Sequence, residues 1–144
     1  DSNVVSIAFR SNRFSEFANN NKSEFERTSN FEKLTINYIY RGVEYFKSKL
    51  KNPKFLLWSD NFEKLDQYFD PKIFTFVQNE KDKKIFLDFF LMRQCKYFIV
   101  GSTSFHWWPA WLCDHKQKII LRPKDPDLNI SSNLNFWPDS WIKI

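Results

Sequence analysis

Tyr97-Phe98-Ile99-Val100, then Gly101-Ser102-Thr103-Ser104, then Phe105-His106-Trp107-Trp108-Pro109-Ala110-Trp111-Leu112: this stretch decides the fold. An uncharged, apolar run of strand length gives way to small residues, and those open a Trp-rich segment that reads as a helix from about Ser104 to Leu112. Strand, tight turn and helix in that order make up half of a parallel crossover unit.

The same alternation runs outward in both directions. Upstream, Lys83 to Arg93 reads as a helix and Ile73 to Val77 as a strand. Before them, Ser59-Asp60 is expected to open a helix, with Asp60 as N-cap, Glu63 closing a capping box and Pro71 as the stop. Phe62, Leu65 and Phe69 would form its buried stripe. Phe55 to Trp58 is a further strand. Ile39, Val43, Phe46 and Leu50 recur at helical spacing within Leu34 to Leu50, and Asn52-Pro53 ends that helix. Ser11 to Asn30, polar and Asn-rich, reads as a long loop, with or without a helical turn. Val4 to Phe9 is a strand of β-branched and apolar residues, and Lys118 to Leu121 is the last strand expected downstream. Strands alternating with helices predict an α/β domain, a parallel sheet covered on both faces. Ligands of such sheets lie beyond the carboxyl ends of the strands. That directs attention to Arg10 to Arg13, Ser59-Asp60, Gly101 to Ser104 and Arg122 to Asp127.

Bulk composition narrows the function. A chain of 144 residues is one domain, residues 1–144, large enough to bury a core without staples. With only 2 Gly, it holds neither a Gly-rich dinucleotide fingerprint nor a P-loop. A net charge of +5 suits an anionic partner. A nucleic-acid partner would need the basic residues clustered on one face, which the linear sequence does not show, so none is expected. Two cysteines, Cys95 and Cys113, are too few for a disulfide framework and point to a reducing, cytoplasmic setting. No stretch is long and apolar enough to read as a transmembrane segment. The chain starts at Asp1 and enters a strand at once, as an excised piece of a longer protein would.

Few residues could carry chemistry. Gly101 to Ser104 offers close backbone approach, hydroxyl donors and a helix N-terminus that favours an anion; simple N-capping explains the same residues. Asp88 is the only charge in Ile85-Phe86-Leu87-Asp88-Phe89-Phe90-Leu91-Met92. A carboxylate there reaches the rim, finds a structural partner, or accepts the paired N–H groups of a guanine edge. Arg10, just past the first strand, could clamp a phosphate or form a surface salt bridge. Asp125-Pro126-Asp127 matches the D-x-D string of metal-dependent glycosyltransferases and equally marks a Pro-containing turn. Cys113-Asp114-His115 is too compact to chelate zinc and His106 is the only other histidine, so no metal is expected.

From Leu91 onward the chain resembles a known family. Leu91-Met92-Arg93-Gln94-Cys95-Lys96-Tyr97-Phe98-Ile99-Val100 is similar to the L-M-S-x-C-K-H-x-I-I segment of alpha-1,2-fucosyltransferases. Ser102-Thr103-Ser104-Phe105-His106-Trp107-Trp108-Pro109-Ala110-Trp111-Leu112 follows their N-S-S-F-S-W-W-G-A-W-L without a gap. Lys118 to Lys124 resembles K-I-V-I-A-P-K, Pro138 to Trp141 resembles P-x-S-W, and Phe55 to Asp60 resembles F-x-I-F-S-D. Asn37-Tyr38 to Glu44-Tyr45 looks like their Y-Y-x-x-A-I-x-Y helix.

The resemblance implies an inverting, metal-independent transferase moving fucose from GDP-fucose to a glycan hydroxyl. The fold implied is a Rossmann-like three-layer domain with a parallel sheet, like the C-terminal, donor-binding half of a two-domain GT-B glycosyltransferase. The N-terminal half that serves the glycan acceptor has no counterpart here. By the same resemblance Arg10 holds the donor diphosphate and acts in catalysis, Asp88 holds guanine, and Ser102, Thr103 and Ser104 line the nucleotide pocket. One departure stands out. Where the family carries H-x-R-R-x-D, this chain reads Ala8-Phe9-Arg10-Ser11-Asn12-Arg13, keeping one arginine of two. A non-catalytic domain with a structural or partner-binding role is the alternative that this departure raises.

Overall fold

The computed structural model describes residues 3–11, 22–78, 85–129, 133 and 135–144. Six strands form one all-parallel sheet: β1 (Val4–Phe9), β2 (Lys54–Ser59), β3 (Phe74–Phe76), β4 (Tyr97–Ile99), β5 (Ile119–Arg122) and β6 (Ile142–Lys143). Their spatial order is β3-β2-β1-β4-β5-β6, the doubly wound order of a Rossmann-like α/β fold. The direction of winding reverses between β1 and β4, where Val5 pairs Tyr97 and Ile7 pairs Ile99. The two-residue β6 is the strand that periodicity did not announce; Ile144 N–H donates to Arg122 O at 3.1 Å and holds it in place.

Alternate residues of the strands supply two cores. Val5, Ile7, Phe9, Leu57, Ile99 and Leu121 pack beneath α1 (Lys22–Lys49). On the other face Trp58, Phe98, Val100 and Ile120 meet Met92 of α3 (Ile85–Gln94), Ala110 of α4 (Ser104–Trp111), Trp137 and Trp141. Gly42 sets how close α1 lies. A Cβ there would stand 2.6 Å from Cδ1 of Ile99, so only glycine admits this approach. The Tyr38 hydroxyl lies 2.9 Å from Val100 O and 3.0 Å from Leu121 O and shares its one proton between them, fastening α1 to the carboxyl ends of β4 and β5.

Two expectations need correction. α1 begins at Lys22, so residues 22–30 are helix and not loop; residues 12–21 lie outside the described set. The buried stripe continues toward the N-terminus through Phe31 and Thr28, and the Thr28 and Thr35 hydroxyls donate to Glu24 O and Phe31 O within the helix. Polar residues thus occupy positions where an apolar stripe was sought. The helix expected from Asp60 forms only as α2 (Leu65–Tyr68), preceded by Lys64 at φ 59. Asp60 does not cap it, because its carboxylate accepts the Ser11 N–H at 3.1 Å from the loop after β1. Leu65 and Phe69 are buried as expected. α3, apolar on every side apart from Asp88 in its first two turns, is open to solvent. Ile85 is 72% and Phe86 83% exposed, and Met92 is the one side chain of this helix that reaches the core.

Candidate functional site

A cleft of about 340 Å³ opens at the carboxyl ends of β1, β2 and β4, at the point where the strand order reverses. Ala8, Phe9 and Arg10 come from β1 and the residue after it, and Trp58, Ser59 and Asp60 from β2. Thr103 and Phe105 close the opposite wall, and Ile85, Asp88 and Met92 of α3 form its roof. This is the crevice in which doubly wound sheets hold their ligands.

Three of the expected residues meet there. Arg10 Nε stands 3.9 Å from Asp60 Oδ2, with the guanidinium about two-fifths exposed. Asp60 therefore spans the loop, taking the Ser11 N–H on one oxygen and facing Arg10 with the other. Asp88 is half-buried on the inner side of α3, and Trp58 Nε1 donates to its Oδ1 at 3.1 Å. Partial burial pushes the Asp88 carboxyl above the usual carboxylate range, and the Trp58 N–H pulls the other way. Thr103 caps α4, its Oγ1 accepting the Phe105 N–H at 3.2 Å, while it lines the cleft.

Ser102 and Ser104 face elsewhere. The Ser102 hydroxyl donates to Leu128 O in the 3-10 turn Pro126–Leu128. Ser104 borders a separate aromatic cavity of about 380 Å³ with Trp107, Trp108 and Trp111. Asp125 caps the 3-10 turn by accepting the Asp127 N–H at 3.0 Å, so Asp125-Pro126-Asp127 is folded as a turn. Cys113-Asp114-His115 is likewise spoken for. Asp114 pairs with Arg93, His115 Nε2 lies 3.3 Å from Gln94 O, and the Cys113 thiol donates to Cys95 O at 3.3 Å. Among the described residues, no three His, Cys, Asp or Glu side chains gather where a metal ion could sit.

Reasoning from sequence missed Trp58, His106 and Arg122. Trp58 is the group that holds Asp88, and its signal was available: an indole N–H at a strand end needs an acceptor. Arg122 ends β5, where the similar string carries Ala, and its Nε is buried without a hydrogen-bond partner. His106 is fully buried beneath α4, its imidazole held neutral and pushed down to about 3 by desolvation. Gly101 carries a second steric demand: a Cβ there would lie 2.7 Å from Ala8 O, so the two walls of the cleft touch backbone to backbone.

Comparison with known proteins gives the family. The family model for glycosyl transferase family 11 matches residues 27–144. An alpha-1,2-colitosyltransferase of Escherichia coli is 28% identical over 132 residues, covering 81% of this chain and 43% of that protein. The O-antigen biosynthesis glycosyltransferase WbnK of Escherichia coli is 27% identical over 114 residues, covering 77% of this chain and 37% of that protein. The chain thus spans less than half the length of either relative. No solved structure matches it. With the family model running from within α1 to the last residue, the chain belongs to glycosyl transferase family 11.

Proposed function

We propose that this domain binds the nucleotide-sugar donor of a glycosyltransferase, GDP-fucose or a related GDP-sugar, for transfer to a glycan hydroxyl. The observation that carries the reading is the convergence of Arg10, Asp88 and Thr103 on one cleft at the strand-order switch. Asp88, held by Trp58, presents a carboxylate to the N–H edge of guanine. Arg10 and the backbone at Thr103 face the diphosphate, whose developing negative charge is what such a transferase must stabilise. The acceptor glycan would be held by the family's other half, outside this chain, in a GT-B arrangement. No divalent ion is invoked, because leaving-group charge falls to a guanidinium and backbone donors. Among the described residues no helix is long and apolar enough to cross a membrane, and both cysteines are free thiols; we place the reaction in the cytoplasm.

Calorimetry of the chain with GDP, ADP and UDP, with and without chelator, tests this. GDP should bind alone and without metal. A preference for UDP, or a strict metal requirement, overturns the reading.

One observation favours a non-catalytic second reading. Ser11 stands where the similar motif has its second arginine, and its buried hydroxyl has no hydrogen-bond partner. A domain that binds GDP while its longest natural form releases none from GDP-fucose would decide for that alternative.

A further inference from the structure

The side chain of His106 spans the two strands that meet at the switch point. Gly101 N–H donates to its Nδ1 at 3.3 Å. On the other side Nε2 lies 2.9 Å from Ser6 Oγ. A backbone amide can only donate, so Nδ1 carries the lone pair, and the proton sits on Nε2 and points to Ser6. The Ser6 hydroxyl oxygen accepts that proton. Ser6 and His106 are fully enclosed, so nothing but this chain of donors and acceptors can satisfy the ring.

The consequence is positional. Ser6 belongs to β1, which delivers Ala8, Phe9 and Arg10 to one wall of the cleft. Gly101 opens the turn that delivers Thr103 and Phe105 to the other wall. Gly101 also rests on Ala8 O, so any rotation of its peptide would separate the walls. We infer that His106 is a positioning residue, an internal tie between Ser6 and Gly101 that fixes the Gly101–Thr103 turn against β1 in the geometry that receives the donor diphosphate. It touches no ligand itself. For its ligand the inference rests on the nucleotide-sugar reading above; for the tie it does not.

The sequence holds 2 His and 2 Gly, which makes both partners easy to assign by NMR in the whole chain. Long-range proton–nitrogen spectra should show His106 with its proton on Nε2; a proton on Nδ1 overturns the inference. Amide exchange at Gly101 should speed up by about tenfold or more in His106→Leu, and also in Ser6→Ala, which leaves the ring in place. His106→Asn, which keeps an acceptor for the Gly101 N–H, should restore slow exchange. Exchange that rises uniformly across all six strands instead would mean that His106 only fills the core, and would overturn it. GDP affinity should fall about tenfold in His106→Leu and recover in His106→Asn. Unchanged affinity with a released Gly101 amide defeats the positioning role. A wild-type chain that takes up no GDP defeats the donor reading and the ligand half of this inference, while the exchange data decide the tie on their own.

Discussion

The indole of Trp58, at the carboxyl end of β2, donates its Nε1 proton to the Asp88 carboxylate on α3 at 3.1 Å. That contact spans the cleft from sheet to roof. It holds the Asp88 carboxylate in the wall of the cleft.

Asp88→Asn therefore separates binding from stability. Loss of the charge-assisted bonds proposed to guanine should weaken GDP by about 1.5–3 kcal/mol and leave any binding of ADP unchanged, as calorimetry would show. Stability should move the other way. The native carboxyl holds its proton above the ordinary 3.8, so the folded state binds more protons than the unfolded one in that window, and stability is lost as pH rises through it. At pH 7 the neutral amide is the better tenant, and Asp88→Asn should raise Tm. The gain should close as the pH is lowered toward 3.8. A lower Tm at pH 7 would contradict the desolvation account.

His106 gives the opposite sign. Its imidazole binds a proton near 6.5 when unfolded and only near 3 when folded. Between those values the unfolded state holds the extra proton, so stability is full above about 6.5 and falls as the pH drops toward 3. Urea midpoints measured from pH 7 to 4 should fall more steeply for the wild type than for His106→Asn, whatever their offset at pH 7. Parallel slopes would mean that the ring titrates normally.

Gly42→Ala tests the seat of α1. Its new methyl would overlap Ile99, and overpacking of this kind typically costs about 1–3 kcal/mol. Shortening the neighbour by Ile99→Val should recover part of that loss, so the double variant should be less unstable than the sum of the singles. Strict additivity in denaturant unfolding would refute direct contact.

How much of this was legible in the sequence depended on which physical signal each feature leaves. β1 could be read because Val4 to Phe9 is enclosed on both faces and its residues are apolar or small throughout. The early turns of α1 could not, since Thr28 and Thr35 fill its buried stripe with hydroxyls bonded inside the helix. Asp60-x-x-Glu63 has the letters of a capping box, but the carboxylate is claimed by Ser11, which is distant in sequence. Arg10, Asp88 and Thr103 reach one cleft because each stands at or beside the carboxyl end of a strand or over it, and topology alone places such residues. Ser102 and Ser104 share their turn with Thr103, yet successive side chains diverge around a helix start, and adjacency in sequence does not resolve that. The ties made by Trp58 and His106 depend on partners 30 and 100 residues away, which no local pattern encodes.

The open flank of α3 has a consequence for how the isolated chain behaves in bulk solution. Ile85, Phe86, Leu87, Phe90 and Leu91 all face water from a single ten-residue helix. Contiguous apolar surface of that kind is sticky. Against association stands a net charge of +5, a long-range repulsion that added electrolyte screens beyond about 10 Å at 0.1 M. The chain should thus be a salting-out protein of unusual sensitivity, dispersed in dilute buffer and clustering as ionic strength rises. Sedimentation across a salt series would show the shift, and Phe86→Lys, which both interrupts the flank and adds charge, should abolish it.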